Sequence, residues 1–248
     1  MPKLNKDVNM DVHNIPGGGT FQFSAVKMDN LGATEYTLVT VAMDTSGSLQ
    51  GFEQELKKTI GSIVDACKKS PRAENLMLRY IQFNSDLSEV HGFKLLSTIN
   101  AADYEAPRPY GRTALHDATY SSIGATLTYA KKLIEQDFNC NGICFIITDG
   151  LDNESKTSPT MIADMAKKAK IGEDIESLIT VLIGINTQDA EVKRELPVFS
   201  QEAQLTQYVD AGDATAGKLA KLAAFVSKSI SSQSQALGTG GPSQTLTF

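Results

Sequence analysis

The chain has 248 residues, of which 41% are hydrophobic and 21% charged, with a net charge of -6 at pH 7 and a pI near 5.1. A chain of this length can bury one large continuous core, and its composition excludes a disordered or fibrous protein. The acidic balance argues against a nucleic-acid partner, which would favour a basic stripe on the surface. We therefore expect one ordinary globular domain that needs no disulfides.

The N-terminal residues 1–20 are polar and end in Pro16 and three glycines, which predicts a flexible lead-in. No apolar run follows the first lysines, so we expect neither a secretory signal nor a membrane anchor, no membrane partner, and a cytoplasmic location. The cysteines are three in number and lack close metal-ligand spacing, which is typical of reduced intracellular thiols that fill the core or surface. They are Cys67, Cys140 and Cys144.

Apolar residues along the rest of the chain follow strand and helix periodicities in turn. The predicted strands are residues 20–26, 37–43, 76–83, 90–96, 142–148, 178–185 and 207–209. The predicted helices are residues 52–69, 114–136, 159–170, a short segment after Asp189, and 215–230.

Strands that alternate with helices require crossover connections, which predicts an α/β fold with a doubly wound, Rossmann-like and mostly parallel sheet between two helical layers. The link between strands 76–83 and 90–96 is too short for a crossover helix, so this pair is predicted to be an antiparallel hairpin at one edge. The expected organisation is an N-terminal arm with a short strand over 1–34, a domain over 35–231, and a flexible Ser/Gly-rich tail over 232–248.

The segment Asp44-Thr45-Ser46-Gly47-Ser48 directly follows the most apolar predicted strand and precedes a helix. In a doubly wound sheet, ligands bind at the carboxyl ends of the strands. One carboxylate and two hydroxyls at alternate positions of a tight loop can point to one centre, and such hard oxygen ligands suit Mg²⁺, Mn²⁺ or Ca²⁺ better than zinc. Because the string alone is expected by chance in about one chain in twenty, its position carries the prediction.

Two further loops are predicted to end on the same edge of the sheet. The string Gly-Arg-Thr-Ala-Leu-His-Asp-Ala begins at Gly111 and opens the helix 114–136, and Thr148-Asp149-Gly150 ends the strand 142–148. With these loops the chain resembles the von Willebrand factor A family. The metal ion-dependent adhesion site of that family combines D-x-S-x-S with a later loop threonine and a later strand-end aspartate. The three motifs occur in family order over about residues 35–230, and the G-x-T-x-L-x-D-A string is more similar to the bacterial and intracellular branch than to the integrin branch.

The resemblance implies a site for Mg²⁺, or for Mn²⁺ or Ca²⁺, formed by Asp44, Ser46, Ser48, Thr113 and Asp149. In the family, the threonine becomes a direct ligand and the second aspartate retreats behind water when a partner binds. Because hydroxyls are neutral, an incoming Asp or Glu of another protein can complete the coordination and cancel the remaining positive charge. The implied function is that of a cation-dependent adaptor, not an enzyme, with an ATPase or a stress-response complex as the partner in related domains.

Each of these residues also has a simpler interpretation. Ser46 or Ser48 could cap the following helix, Thr113 could be an N-cap, and Asp149 with Gly150 could form only a turn. Taken jointly, these interpretations require three coincidences on one edge, which favours the metal site.

Other function classes fit less well. An aspartic protease needs two matched aspartate loops, and a phosphatase of the haloacid dehalogenase type needs an aspartate where Ser46 stands. The chain contains no phosphate-binding P-loop and no G-x-S-x-G elbow. A structural or assembly protein with an incidental metal, and a metal-dependent hydrolase of unrecognised type, remain as alternatives. We expect Asp152 and Glu154 to form a solvated acidic loop, and no catalytic role for the scattered histidines His13, His91 and His116.

Overall fold

The computed structural model of the chain describes residues 4, 9–16, 21–171, 174–213 and 215–248. Within these residues, eight strands form one sheet and five α-helices pack on it. The strands are β1 (Met10–Asn14), β2 (Gln22–Val26), β3 (Glu35–Asp44), β4 (Leu76–Phe83), β5 (Leu87–Leu95), β6 (Asn139–Thr148), β7 (Leu178–Gly184) and β8 (Gln207–Asp210). The helices are α1 (Glu53–Lys68), α2 (Leu115–Ile134), α3 (Pro159–Ile171), α4 (Ala190–Glu202) and α5 (Ala216–Thr239).

The strand order is β1-β2-β5-β4-β3-β6-β7-β8, and the run from β4 to β8 is parallel throughout. One face of the sheet is covered by α1 and α5, and the other by α2, α3 and α4. The predicted α/β class, with a mostly parallel sheet between helical layers, is confirmed. Because β3 lies in the middle of the sheet, its carboxyl end is flanked by the ends of β4 and β6.

The pair β4–β5 is antiparallel, as predicted, but the sheet continues beyond it. β2 pairs in parallel with β5, and β1 pairs antiparallel with β2 to form the edge. The predicted lead-in therefore contains a strand, which its polar sequence did not indicate because only an edge strand tolerates so little burial. Thr20, the first residue of the predicted strand 20–26, lies outside the described residues, as do parts of the lead-in.

The last helix is longer than predicted, since α5 continues to Thr239. Its buried face includes Gln233, whose side-chain Nε2 donates to the backbone carbonyl of Gly142 and to Ser177 Oγ at 3.2 and 2.9 Å. These tertiary contacts extend the helix through a Ser/Gln-rich stretch that lacks apolar periodicity. The expected flexible tail contacts the domain as well, because the carbonyl of Leu246 accepts a hydrogen bond from Gln207 Nε2 at 2.9 Å.

Gly92 of β5 lies directly against the backbone of Ser24 in β2. A Cβ atom at this position would lie 1.8 Å from the backbone oxygen of Ser24, so a larger residue must push the strands apart. We expect Gly92→Ala to lower the free energy of unfolding by about 3 kcal/mol, as in a severe overpacking. Urea unfolding checks this, with Gly32→Ala as the control because no atom lies within 4 Å of a Cβ there. Equal unfolding midpoints for both variants would contradict the prediction.

The three cysteines are free and buried, as the interpretation as filler predicted. Burial raises the pKa of Cys67 to about 12 and that of Cys144 to about 11, so these thiols stay protonated at neutral pH. In the described part of the chain, no helix has both the length and the apolar character needed to cross a bilayer.

Candidate metal centre

Asp44 is the last residue of β3 and its side chain is 0% exposed. One carboxylate oxygen, Oδ1, accepts a hydrogen bond from the backbone N–H of Ser46 at 2.7 Å. The other, Oδ2, accepts from Thr148 Oγ1 at 2.6 Å. Hydrogen bonds from two neighbouring strand ends therefore fix the orientation of this buried carboxylate.

The second carboxylate, Asp149, follows β6 directly and is also buried. Burial raises the pKa of Asp44 to about 6, against hydrogen bonds that lower it, and the nearby charge of Asp149 raises it further. Burial likewise raises the pKa of Asp149. Two buried carboxylates whose charges interact are a favourable environment for a cation.

Two serine hydroxyls connect the D-x-S-x-S loop to the end of β6. Ser46 Oγ lies 3.1 Å from Ser48 Oγ, and Ser48 Oγ donates to Asp149 Oδ1 at 2.9 Å. Ser48 is exposed, whereas Ser46 and Asp149 are buried. The oxygen cluster therefore reaches the surface at the carboxyl edge of the sheet.

The loop before α2 packs directly on the D-x-S-x-S loop. The backbone N–H of Gly47 donates to the carbonyl of Gly111 at 3.2 Å, and that of Tyr110 donates to the carbonyl of Thr45 at 3.0 Å. Gly111 has a φ of 75°, a left-handed conformation that glycine adopts without strain. These contacts bring the loop containing Thr113 to the site.

Thr113 is 4% exposed, and its hydroxyl makes no hydrogen bond with any described residue. A Cβ atom at Gly150 would lie 3.7 Å from Thr113 Oγ1, so the hydroxyl lies beside the turn that follows Asp149. The structure thus brings all five predicted residues to one edge. Four are linked by hydrogen bonds, and Thr113 adjoins them with its hydroxyl unused.

The interpretation of Ser46, Ser48 and Thr113 as helix caps does not describe the structure. The N-cap residues of α1 and α2 are Phe52 and Ala114, and neither makes a side-chain cap. Ser46 precedes a short 3-10 turn without capping it through its side chain. The hydroxyls of Ser46, Ser48 and Thr113 are therefore free of capping roles.

The loop that follows β6 has a role that the sequence analysis missed. Its side chains accept hydrogen bonds from three backbone N–H groups at the start of α2: Asp152 from His116 at 3.1 Å, Asn153 from Thr113 at 2.8 Å, and Ser155 from Asp117 at 2.9 Å. The prediction of a solvated acidic loop is wrong for Asp152, whereas Glu154 is exposed and pairs with Arg112 at 3.6 Å. The missing side-chain cap of α2 was the available signal, because these N–H groups need acceptors from elsewhere.

The ligand atoms of the cluster are the oxygens of two carboxylates and three hydroxyls. In the described residues, three or more His, Cys, Asp or Glu side chains do not come together as a metal site. The chemistry of this donor set fits Mg²⁺, Mn²⁺ or Ca²⁺, which prefer oxygen, and does not fit zinc. The histidines make other contacts: His116 stacks on Phe199 at 4.6 Å, and its Nδ1 lies 3.6 Å from Asp152 Oδ2. Burial lowers the pKa of His13 and of His91 to about 4.

No protein-family model and no curated protein matches the chain. Solved structures do. The PilB minor pilin from Streptococcus sanguinis has 16% identity and a TM-score of 0.59, covering 88% of this chain and 66% of its own. The pilus adhesin SpaC from Lactobacillus rhamnosus GG has 13% identity and a TM-score of 0.56, over 81% and 31%. Proximal thread matrix protein 1 from the mussel byssus has 20% identity and a TM-score of 0.51, over 80% and 47%.

These likenesses establish the fold. The chain spans less than two thirds of each of these proteins.

Proposed function

We propose that the chain is a protein-binding domain that holds a divalent cation, with Mg²⁺ as the first choice, and captures an acidic side chain of another protein. The ligand residues are Asp44, Ser46, Ser48, Thr113 and Asp149. One observation carries the proposal: hydroxyl and carboxylate oxygens from segments far apart in sequence form a continuous chain, Ser46–Ser48–Asp149, at the carboxyl end of the central strand.

Charge explains why such a site would capture an acid. Asp44 and Asp149 are both buried and both have raised pKa values, so a nearby cation would relieve the cost of ionising them. When bound, a divalent cation supplies positive charge that the neutral hydroxyls leave uncompensated. The exposed Ser48 side chain places this edge of the cluster within reach of a partner.

The similar structures support an adhesion or assembly setting for this activity, since they are a minor pilin, a pilus adhesin and a thread matrix protein. The cytoplasmic location, the absence of enzymatic activity and an ATPase or stress-response partner remain predictions from the sequence. Chelation separates the proposal from an assembly role with an incidental metal, because only metal-dependent capture is lost when the cation is removed.

The proposal is tested with the full chain and short peptides that carry a single acid. We expect Mg²⁺ to bind in calorimetry, and an acetylated Gly-Gly-Asp-Gly-Gly amide to bind only with Mg²⁺ present. The same peptide with Asn in place of Asp should not bind. Equal binding of both peptides, or binding that survives EDTA, would overturn the proposal.

Thr113→Val distinguishes partner capture from metal binding. The variant removes a hydroxyl that makes no hydrogen bond with a described residue, but it leaves both carboxylates in place, so the charge that attracts the cation is unchanged. We expect the affinity for the Asp peptide to fall about tenfold, which corresponds to the loss of one coordination or hydrogen bond. The affinity for Mg²⁺ should fall much less. Thr128→Val on α2 is the control. If Thr113→Val lowered the affinity for Mg²⁺ as much as the affinity for the peptide, the assignment of Thr113 would be contradicted.

A further inference from the structure

A cavity of about 660 Å³ lies beside the proposed metal centre, between the β4–β5 hairpin and the connection that leads to α2. Thr45 lines this cavity and stands in sequence between the two proposed ligands Asp44 and Ser46. A volume of this size accommodates a side chain or a small ligand. A polypeptide with its acid at the metal would therefore have neighbouring side chains within reach of the cavity, since each residue spans about 3.5 Å.

The floor of the cavity carries polar groups from three positions of the hairpin. Gln82 and Ser88 are cross-strand partners, and Asn84 lies in the turn that directly follows β4. Each of these side chains lines the cavity.

Asn84 is 6% exposed, yet only one of the two polar atoms of its side chain makes a hydrogen bond with a described residue. Its Oδ1 accepts a hydrogen bond from the backbone N–H of Asp86 at 3.0 Å, which fixes the orientation of the amide. Its Nδ2 makes no hydrogen bond with any described residue. Nδ2 is not one of the fully buried side-chain atoms that lack a partner, so it reaches the solvent in the cavity and is available to a ligand.

Gln82 offers the complementary group. Its Nε2 donates to Tyr80 Oη at 3.0 Å, so its Oε1 is left as an acceptor, and no described residue donates to it. The floor therefore presents one N–H donor from the turn after β4 and one carbonyl acceptor from β4, and no described residue uses either.

The wall is aromatic and neutral. Tyr80 and Tyr104 meet edge to face at 5.4 Å between ring centroids, and His91 stacks on Tyr104 at 5.8 Å with its Nε2 2.8 Å from Tyr104 Oη. Burial lowers the pKa of His91 to about 4, so this ring is uncharged at neutral pH. Such a wall favours a flat or apolar guest without selecting a charge.

The charged side chains that line the cavity do not select a charge strongly either, because both signs are present. The acidic ones are Asp86, Asp103 and Glu105, and the basic ones are Lys94 and Arg108. The hydrogen-bonding groups of the floor therefore decide the kind of guest.

We propose that this cavity is a second subsite for the same partner, and that it takes a carboxamide side chain, Asn or Gln, near the acid that binds the metal. A carboxamide has a carbonyl that accepts from Asn84 Nδ2, an NH₂ group that donates to Gln82 Oε1, and flat faces that pack on the tyrosine rings. This proposal rests on the proposed function, because the partner is anchored by its acid at the metal.

The test uses ¹⁵N-labelled full chain with Mg²⁺ and short peptides that place Gln one or two residues before or after a single Asp. Matched peptides carry Leu in place of Gln, which has a similar size but no hydrogen-bonding groups. In the best placement, we expect the Gln peptide to bind about tenfold tighter than the Leu peptide, in line with two hydrogen bonds in a shielded site. The side-chain NH₂ signals of Asn84 and Gln82 should shift with the Gln peptide alone.

Asn84→Asp is the decisive variant. It keeps the Oδ1 acceptor for the N–H of Asp86 but replaces the free donor by an acceptor, so the preference for Gln over Leu should disappear. Asn100→Asp is the control, because it adds the same charge at the rim without altering the floor. It should keep the preference. Unchanged melting temperatures establish that both variants fold.

The outcomes separate the two proposals. If binding requires Mg²⁺ and Asp but the Gln and Leu peptides bind equally, the subsite is wrong and the metal-dependent function stands. If neither Mg²⁺ nor Asp matters, the metal-dependent function is wrong, and the subsite is judged by itself with acetyl-Gln-methylamide against acetyl-Leu-methylamide. Equal shifts of the Asn84 side-chain signal with these two compounds would then overturn the subsite as well.

Discussion

Replacement of Asp44 by Asn is expected to abolish Mg²⁺ binding and, at the same time, to stabilise the metal-free protein. The carboxylate is fully buried, and its pKa is raised from the ordinary 3.8 to about 6, mainly by burial. A shift of this size corresponds to a cost of up to about 3 kcal/mol at neutral pH, which a neutral side chain does not incur. Loss of the charge should lower the affinity for Mg²⁺ at least about 100-fold.

Asn fits the site because the hydrogen bonds can be rearranged. Its Oδ1 can keep the bond from the backbone N–H of Ser46. Thr148 Oγ1, which donates to Asp44 Oδ2, also lies 3.2 Å from the carbonyl of Gly150, so its proton has a second acceptor when NH₂ replaces Oδ2. An alanine would leave the backbone N–H of Ser46 without its acceptor, so Asn is the cleaner substitution.

The stabilisation should depend on pH in a definite direction. Because the pKa of Asp44 is raised on folding, the folded state binds this proton more tightly. The contribution of Asp44 to stability is therefore complete below about pH 3.8 and is lost as the pH rises through about 6. The gain from Asp44→Asn should be largest at pH 7.5 and small at pH 4.

Calorimetric titration of Mg²⁺ and urea unfolding in EDTA, each at the two pH values, measure both effects. Glu154→Gln is the matched control, since Glu154 is an exposed acid at the same edge whose only described ion pair is with Arg112. This control should change neither the affinity for Mg²⁺ nor the free energy of unfolding appreciably. A metal-free Asp44→Asn protein that is less stable than the wild type would mean that the carboxylate serves the fold and not a ligand.

Glu89→Gln is expected to be the most destabilising of these single substitutions, by about 3–5 kcal/mol. Glu89 Oε2 pairs with Arg79 Nε at 2.9 Å, and both side chains are 0% exposed. Glu89 Oε1 also accepts a hydrogen bond from the backbone N–H of Ser24 at 3.0 Å, so the pair joins β2, β4 and β5. Gln keeps the shape and that acceptor but leaves the guanidinium buried without a counter-charge.

Urea unfolding at pH 7 measures this loss, and a second variant identifies its cause. Arg79→Met combined with Glu89→Gln removes the unpaired charge, so part of the stability should return even though two groups have changed. A Glu89→Gln protein within about 1 kcal/mol of the wild type would show that water reaches the pair. A double variant that is less stable than Glu89→Gln would show that packing of the Arg79 side-chain stem contributes more to stability than the unpaired charge costs.

Much of the site could be predicted from local sequence. Asp44 and Asp149 each end an apolar run abruptly, and parallel strands that lie side by side bring their carboxyl ends to one edge. The hydroxyls at positions 46 and 48 follow on the same loop, so their proximity to Asp44 is a consequence of chain spacing. That Ser48 bonds Asp149, and not the N-terminus of α1, could only be seen in the structure.

What the structure added depends on contacts between residues far apart in the chain. The capping of α2 by Asp152 joins positions 36 residues apart, and the pairing of Ser24 with Glu89 joins positions 65 apart. Neither leaves a periodic pattern, because periodicity reports which face a segment buries and not which polar groups meet across it.

The sequence by itself determined the fold class, the strand ends at Asp44 and Asp149, and the oxygen-only character of the site, because burial periodicity and strand termini are local properties of the chain. The tertiary structure alone decided that β1 forms the edge, that α5 runs on to Thr239, and that a cavity opens beside Thr45. Polar residues at the sheet edge and in the last turns of α5 are held by partners that folding supplies, so their conformation is set by long-range hydrogen bonds and not by local propensity.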